Sequence, residues 1–305
     1  MDIKVLKYFL AVAREGSFTR AAECLHMTQP PLSRQMKDLE EETGVQLFKR
    51  ASKRLTLTPE GLLLRKRAEE MVELFEKTKL ELNQYGDNPG GDVYIGGGES
   101  MSSSLIAEAA RCLQEKYPLI KYHLLSGDAE YITENLDKGL IDFGLLVEPM
   151  DITKYDYVRL PLKDTWGVLM RRDSPLSLKE AVVPEDLFDK PLLFSRQTAQ
   201  SSEMSAWFGR DVSKLKVVAE YDLIYNASRF VREGFGYAVA LDGIIDTSEE
   251  SGLCFRPLRP VMHAGLCIAW KKHQIFSRAA DMFLKQLYNE IDRYNSKSNI
   301  GDSYN

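Results

Sequence analysis

The chain of 305 residues has only four cysteines and four histidines, and no apolar run near the roughly 18 residues that a membrane-spanning helix needs. Its cysteines, Cys24, Cys112, Cys254 and Cys267, are scattered without a C-x-x-C pair, which leaves neither a disulfide framework nor a zinc site of ordinary pattern. For Cys254 and Cys267 a redox pair stands against a plainer reading, in which Cys267 is a buried thiol of the strand-like GLCIAW. His26, His123, His263 and His273 follow no motif and no ligand spacing, so no metal, cofactor or catalytic set is expected. The N-terminus, MDIKVLKYFLAV, lacks the basic-then-apolar layout and small-residue cleavage site of a signal peptide, and a cytoplasmic protein without a membrane partner is expected. The glycine turn GGGESMSSS, residues 96–104, also falls short of two enzyme signatures. A dinucleotide fingerprint would need glycine at Met101, and a nucleophile elbow would need a second glycine at Ser102.

What is present points elsewhere. A length of 305 residues argues for two or three domains. The net charge of −5 is unevenly spread: residues 1–58 hold ten Lys or Arg against seven Asp or Glu, or +3, so the remainder carries −8. A small basic module on a larger acidic body suits a polyanionic partner for the first part alone.

Local signals order that module. Val5, Leu6, Phe9, Val12 and Ala13 share one helical face, and Gly16 offers a stop. Ser17 reads as the N-cap of a second short helix carrying the small pair Ala21 and Ala22. A third begins at TQPPLSRQ, where Pro30 and Pro31 are tolerated because the first turn owes no backbone donors to the helix. KRASKRLTLTP then alternates at period two, as a short hairpin would. Helix, helix, turn, helix, hairpin is the order of a winged helix-turn-helix, whose last helix presents its N-terminal side chains to base edges while neighbours hold phosphates. Gln29 can bond adenine bidentately, Ser33 is a short two-way polar group, Arg34 suits guanine or phosphate, and Lys37 follows one turn on. Thr28 sits at the tip, the rings of Pro30 and Pro31 offer apolar contact to a thymine methyl, and Arg50, Lys53 and Arg54 of the hairpin suit backbone phosphates. Ser17 is grouped with them. The competing reading is a three-helix bundle with a solvated basic face.

Thr58 and Pro59 open a long helical run toward Tyr85, in which Gly61, Leu64, Ala68, Met71, Phe75, Thr78, Leu82 and Tyr85 step by threes and fours as a heptad seam. An exposed connecting helix that pairs with a second copy through Leu64, Ala68, Met71, Phe75 and Leu82 is expected, against packing on its own domain. After the turn-rich GDNPGG the pattern changes class. VYIGGG, SSSLIAEAARCLQEKY, IKYHLLS, YITENLDKG and DFGLLV read strand, helix, strand, helix, strand, which implies parallel pairing through right-handed crossovers. A second set, TWGVLM, PLLFS, KVVAE, DLIYNASRFVREG, YAVAL and GLCFRP, implies another α/β half with a cleft between the two. GLCIAW and the helix over SRAADMFLKQLYNEI are added elements. At the mouth of such a cleft the GGGESMSSS turn, rich in hydroxyls and free N–H groups, suits an anion or polar small molecule.

The stretch AVAREGSFTRAAECLHMTQPPLSRQMKDLEEETGVQLFKR, followed by RLTLTPEG, resembles the N-terminal winged helix-turn-helix of the LysR-type transcriptional regulators. The order of parts is similar too, over about residues 2–293, with LDKGLIDFGLLVEP a matching piece of the second half. The resemblance implies an α plus α/β protein: a DNA-binding domain over 1–58, a linker and dimerisation helix over 59–88, and an effector-binding domain of periplasmic-binding-protein type over 89–293. Its lobe I would span about 92–162 and 266–293 and its lobe II about 163–265, with 294–305 a disordered tail. It implies double-stranded operator DNA as a partner, a small-molecule effector, a homodimer or homotetramer, and RNA polymerase as a further candidate partner. By position it carries the effector site to Glu99, Ser100 and Ser102, to Gly127 and Asp128, and to Ser195, Arg196 and Gln197. Glu99 would disfavour a simple acid ligand and Arg196 would favour one. The function implied is sequence-specific regulation of transcription; an enzyme or a solute-binding protein with an accessory DNA-binding module is the alternative.

Overall fold

The computed structural model describes residues 1–51, 54–83, 90–148 and 153–301, with the side chains at 50, 51, 54, 83 and 297–301 left aside. It divides into two compact units, Met1–Tyr85 and Gly86–Asn305.

In the first unit, α1 (Ile3–Glu15) starts at Asp2, whose carboxylate accepts the Val5 N–H, and stops at Gly16 in the left-handed region. α2 (Phe18–Cys24) is capped by Ser17. α3 (Gln29–Thr43) carries both prolines in its first turn and ends at Gly44, φ 70°. β1 (Phe48–Ala51) and β2 (Arg54–Leu57) form the antiparallel hairpin, Phe48 opposite Leu57. The three helices share one core of Leu6, Phe9, Val12, Ala21, Ala22, Leu32, Met36 and Leu39, closed by Leu47 and Phe48 from the hairpin side. The Glu40 carboxylate accepts the N–H groups of Leu47 and Phe48 at 2.7 and 3.0 Å, which fixes the hairpin to α3.

α4 (Pro59–Asn83) follows Thr58, whose hydroxyl donates to the Gln46 carbonyl at 2.7 Å and accepts the Gly61 N–H at 2.9 Å. Its first half packs at home. Ala68 is fully buried in the first unit's core, with Leu64 and Val72 beside it. A Cβ on Gly61 would stand 2.2 Å from the Leu47 carbonyl oxygen, so only glycine allows that approach. This corrects the expectation that Ala68 serves a second copy, since it has no surface left to offer one, while Leu64 is half-buried beside it: the spacing shows that a stripe is apolar, and α1 packs against it. Met71, Phe75 and Leu82 remain exposed, at 36%, 44% and 67%. Tyr85 and most of the GDNPGG stretch lie outside the described residues.

The second unit is α/β. β3 (Gly91–Gly97), α5 (Ser103–Lys116), β4 (Ile120–Ser126), α6 (Ala129–Asp137) and β5 (Phe143–Val147) place β3 parallel to both β4 and β5. β6 (Tyr155–Arg171) is one strand of 17 residues, read from the sequence only as its last third. Then come β7 (Leu192–Ser195), α7 (Arg196–Ala199), α8 (Ser202–Phe208), β8 (Val217–Tyr221), α9 (Ile224–Arg232), β9 (Tyr237–Leu241), β10 (Leu253–Pro257), β11 (His263–Lys271) and α10 (Arg278–Gly301). The strand order is β4-β3-β5-β11-β6-β9-β7-β8, with β10 also on β6.

β6 is the shared strand. It pairs with β11 as far as Thr165 opposite His263, and from Trp166 onward with β9 and β10. Each lobe buries both faces of its sheet, as parallel sheets require. In the first, Val93, Ile95 and Phe143 pack under α5 and α10 on one face, and Ile132, Leu136 and Leu146 lie on the other. In the second, Val168, Phe194 and Val239 face Met204 and Phe208 of α8, while Leu193 and Ala238 face Ile224 and Val231 of α9. Cys254 and Cys267 are free thiols buried in separate cores, one per lobe, which removes the redox pairing. The helix of α10 continues to Gly301, so residues 294–301, expected to be disordered from their low hydrophobicity, are helical in backbone.

Candidate functional site

Two sites emerge, one on each unit. The first is the tip of α3. Thr28 occupies the N-cap position in extended backbone, and its side chain makes no capping bond. Thr28, Gln29, Pro30, Pro31, Arg34 and Lys37 are exposed and Ser33 is half-buried, while Leu32, Met36 and Leu39 face inward. Lys37 pairs with Glu41 at 3.3 Å, an exposed i,i+4 contact that offers little resistance to exchange. Arg34 makes no hydrogen bond or ion pair among the described residues. Ser17 is half-buried and accepts the Arg20 N–H at 3.4 Å, which gives it a structural duty as cap of α2. Arg50 and Arg54 belong to the backbones of β1 and β2; their side chains, and Lys53 entirely, lie outside the described residues.

The second site is a cleft of about 400 Å³ between the lobes of the second unit. Glu99, Gly127, Asp128, Ser195, Arg196 and Gln197 all line it. Ser100 and Ser102 do not, and the reason is visible in their bonds. The Ser100 hydroxyl accepts the Ser102 N–H at 2.9 Å, and the Ser102 hydroxyl donates to Asp164 Oδ1 at 2.8 Å. Asp164 Oδ2 accepts the Met101 N–H at 3.2 Å. With Asp164 only 5% exposed, this set is an internal brace that holds the β3–α5 turn to the crossover strand β6.

Glu99 reaches across the cleft. Its Oε2 accepts the Ile224 N–H at 2.6 Å, at the start of α9, where the N-cap residue Leu223 has no side-chain acceptor to offer. A carboxylate from one lobe therefore caps a helix of the other, where the helix dipole favours negative charge. Tyr221, beside it, donates its hydroxyl to the Val239 carbonyl at 2.6 Å. Burial, and secondarily the Glu99 charge, push that phenol well above the usual tyrosine range, so it stays neutral. Arg196 pairs with Asp222 at 3.0 Å. Ser195 caps α7 through the Thr198 N–H at 3.1 Å, and Ser201 caps α8 through the Met204 N–H at 3.2 Å.

Asp164, Trp166, Tyr221, Asp222, Ile224 and the whole of α8 are the parts that sequence reasoning missed. Ser201, followed eight residues later by Gly209, is a start-and-stop pair that marks α8. Nothing local announces Asp164 or Asp222. Among the described residues no group of three or more His, Cys, Asp or Glu is placed to hold a metal.

A family model described as the bacterial regulatory helix-turn-helix protein, lysR family, matches residues 3–62. A second, the LysR substrate binding domain, matches residues 86–291, well over half of the chain. The chain belongs to the LysR family. It is a DNA-binding transcription regulator with an effector-binding domain, rather than an enzyme or a carrier of solutes. This LysR-family chain is 26% identical over 281 residues to the uncharacterized HTH-type transcriptional regulator YfeR of Shigella flexneri, covering 92% of this chain and 91% of that protein. It is 38% identical over 143 residues to the HTH-type transcriptional regulator BsdA of Bacillus subtilis (strain 168), covering 47% and 49%. In fold it resembles full-length CbnR, crystallised in complex with its target DNA, with a TM-score of 0.74 at 18% identity, covering 95% of this chain and 100% of that one. The two-lobed α/β architecture expected from the sequence is the one this family has.

Proposed function

We propose that this LysR-family regulator reads operator DNA with the N-terminal turn of α3 and responds to a small molecule held in the cleft of its second unit. The observation that carries the first part is the tip of α3. It exposes Thr28, Gln29, both prolines and Arg34 together, while Leu32 on the inner face anchors the same turn in the core. Seated in a major groove, Gln29 and Arg34 reach base edges, and Lys37 with Arg50, Lys53 and Arg54 engages phosphates on either side. Ser17 supports this surface from the start of α2.

Response to an effector is a population shift. A ligand in the cleft changes transcription only as far as it binds one arrangement of the oligomer better than another. The exposed Met71, Phe75 and Leu82 of α4 supply apolar surface for pairing two protomers, and the spacing of their tips then sets the separation of half-sites. A DNA target implies the cytoplasm, and no helix among the described residues is long and apolar enough to cross a membrane.

The test is fluorescence anisotropy on the protein's own upstream DNA against random duplex of equal length. Wild type prefers its own sequence, and Arg34→Ala loses about 10- to 100-fold in affinity, the worth of one good base contact. Equal binding to both duplexes by wild type, or an unchanged affinity in the variant, counts against this reading of the tip.

A further inference from the structure

The lining of the cleft is lopsided in charge. Among the described residues that line it are five carboxylates, Glu99, Asp128, Glu148, Glu203 and Asp222, against the single guanidinium of Arg196, with neither lysine nor histidine. That guanidinium is already matched by Asp222 at 3.0 Å. Glu148 is matched from outside the lining by Arg159 at 2.9 Å. Glu203, exposed on the first turn of α8, has no ion-pair or hydrogen-bond partner among the described residues.

Helix N-termini are what ordinarily draw an anion into a cleft between α/β lobes. Here α6, α7, α8 and α9, whose first turns reach the cleft, each have one N–H capped by the protein's own side chains. Asp128 Oδ1 accepts the Tyr131 N–H of α6 at 2.9 Å, and the Ser195 and Ser201 hydroxyls serve α7 and α8. The α9 terminus takes Glu99 from the opposite lobe. An incoming carboxylate would meet a negative field in which the one guanidinium is already shared with Asp222, and the other side-chain donors on the lining, such as Gln197, Gln200 and Ser202, carry no charge to offset it. A cation meets the opposite balance. It finds the second oxygen of Asp128 and both oxygens of Glu203, with the rings of Trp166 and Tyr221 as aromatic surface on which positive charge is attracted.

We propose that the effector of this regulator is a cation: a metabolite-sized molecule bearing a protonated amine or guanidine, received by the carboxylates of the cleft while Glu99 keeps the lobes together. The proposal rests on the reading of the cleft as the effector site. It resolves the opposition between Glu99 and Arg196 in favour of Glu99, because the structure gives Arg196 a carboxylate of its own.

Three four-carbon probes of one shape test it on the full-length protein at matched ionic strength: 1,4-diaminobutane, 1,4-butanediol and succinate, read by thermal shift and calorimetry. The expected result is stabilisation by the diamine alone. In the double variant Asp128→Asn, Glu203→Gln, in which asparagine still caps α6, diamine affinity falls about tenfold or more. Stabilisation by succinate that disappears in Arg196→Ala keeps the cleft as the effector site and overturns the charge class. A diamine effect that is unchanged in the double variant places binding elsewhere and overturns both readings. Absence of any diamine effect overturns the proposal as well.

Discussion

Asp164 shows how much one side chain can settle. It lies on β6, away from the cleft, yet its two oxygens fix the Ser102 hydroxyl and the Met101 N–H, and through them the turn from which Glu99 projects. Asp164→Ala strands a buried hydroxyl and should cost about 1–3 kcal/mol of stability, seen as a lower urea midpoint of the full chain. Asp164→Asn keeps an acceptor for the Ser102 hydroxyl and should cost less. The cysteines divide at the same scale. Burial pushes the Cys267 thiol up to about 11 and raises that of Cys254 as well, whereas Cys24 is exposed. A raised thiol pKa keeps the unreactive protonated form dominant until the pH climbs to that value, so at pH 8 Cys267 is almost wholly neutral. Titration with a thiol-specific disulfide reagent at pH 8 should therefore label Cys24 at once, and Cys254 and Cys267 only after denaturation.

At the scale of an element, α4 is two helices in function though one in backbone. Its first half completes the core of the DNA-binding unit through Leu64, Ala68 and Val72. Along its second half Lys7 pairs with Glu76 and lies near the Phe75 ring at 5.9 Å, yet Phe75 and Leu82 stay open to solvent. The two halves should answer mutation differently. Ala68→Leu overfills a fully buried site and should lower stability by about 1–3 kcal/mol. Leu82→Lys, at a residue 67% exposed, should leave the melting temperature of a protomer near its wild-type value and weaken self-association, measured by light scattering or sedimentation over a dilution series. Equal association in wild type and the Leu82 variant would remove this part of the helix from the interface.

At the scale of the whole molecule, charge is divided by task. The +3 of residues 1–58 and the −8 of the rest, read within a net charge of −5, let one part of the chain approach a polyanion while the other repels it. Binding to operator DNA should then weaken steeply with salt. With four basic groups per protomer assigned to phosphates, Lys37, Arg50, Lys53 and Arg54, the slope of log affinity against log salt should reach about −7 for a pair of protomers if all eight engage, and should lie nearer about −4 if half do. Removing Lys37 by Lys37→Ala should make that slope less negative by about 1 per protomer without altering sequence preference. A flat salt profile would mean that the basic face does not meet the phosphate backbone.

The DNA-binding unit was legible in the residues because its signals are local. Ser17 as a cap, prolines in a first turn, Gly16 and Gly44 as stops and a period-two hairpin all act within a few residues of one another, so each can be read without knowing what lies across the fold. The alternation of strand and helix after residue 91, and with it the two-lobed α/β class, was legible for the same reason. Periodicity reports which face of an element is apolar but is silent on what covers that face, and this is why Ala68 was assigned to a second copy when its own domain buries it. The cleft divides along the same line. Its loops were placed by resemblance, but the burial of Ser100 and Ser102 under Asp164, the pairing of Arg196 with Asp222 and the reach of Glu99 to Ile224 depend on side chains meeting across the fold. Glu99 and Ile224 are 125 residues apart in the chain. No local pattern encodes such a contact; it exists because β6 carries the chain from one lobe into the other and brings a carboxylate to the open end of a helix.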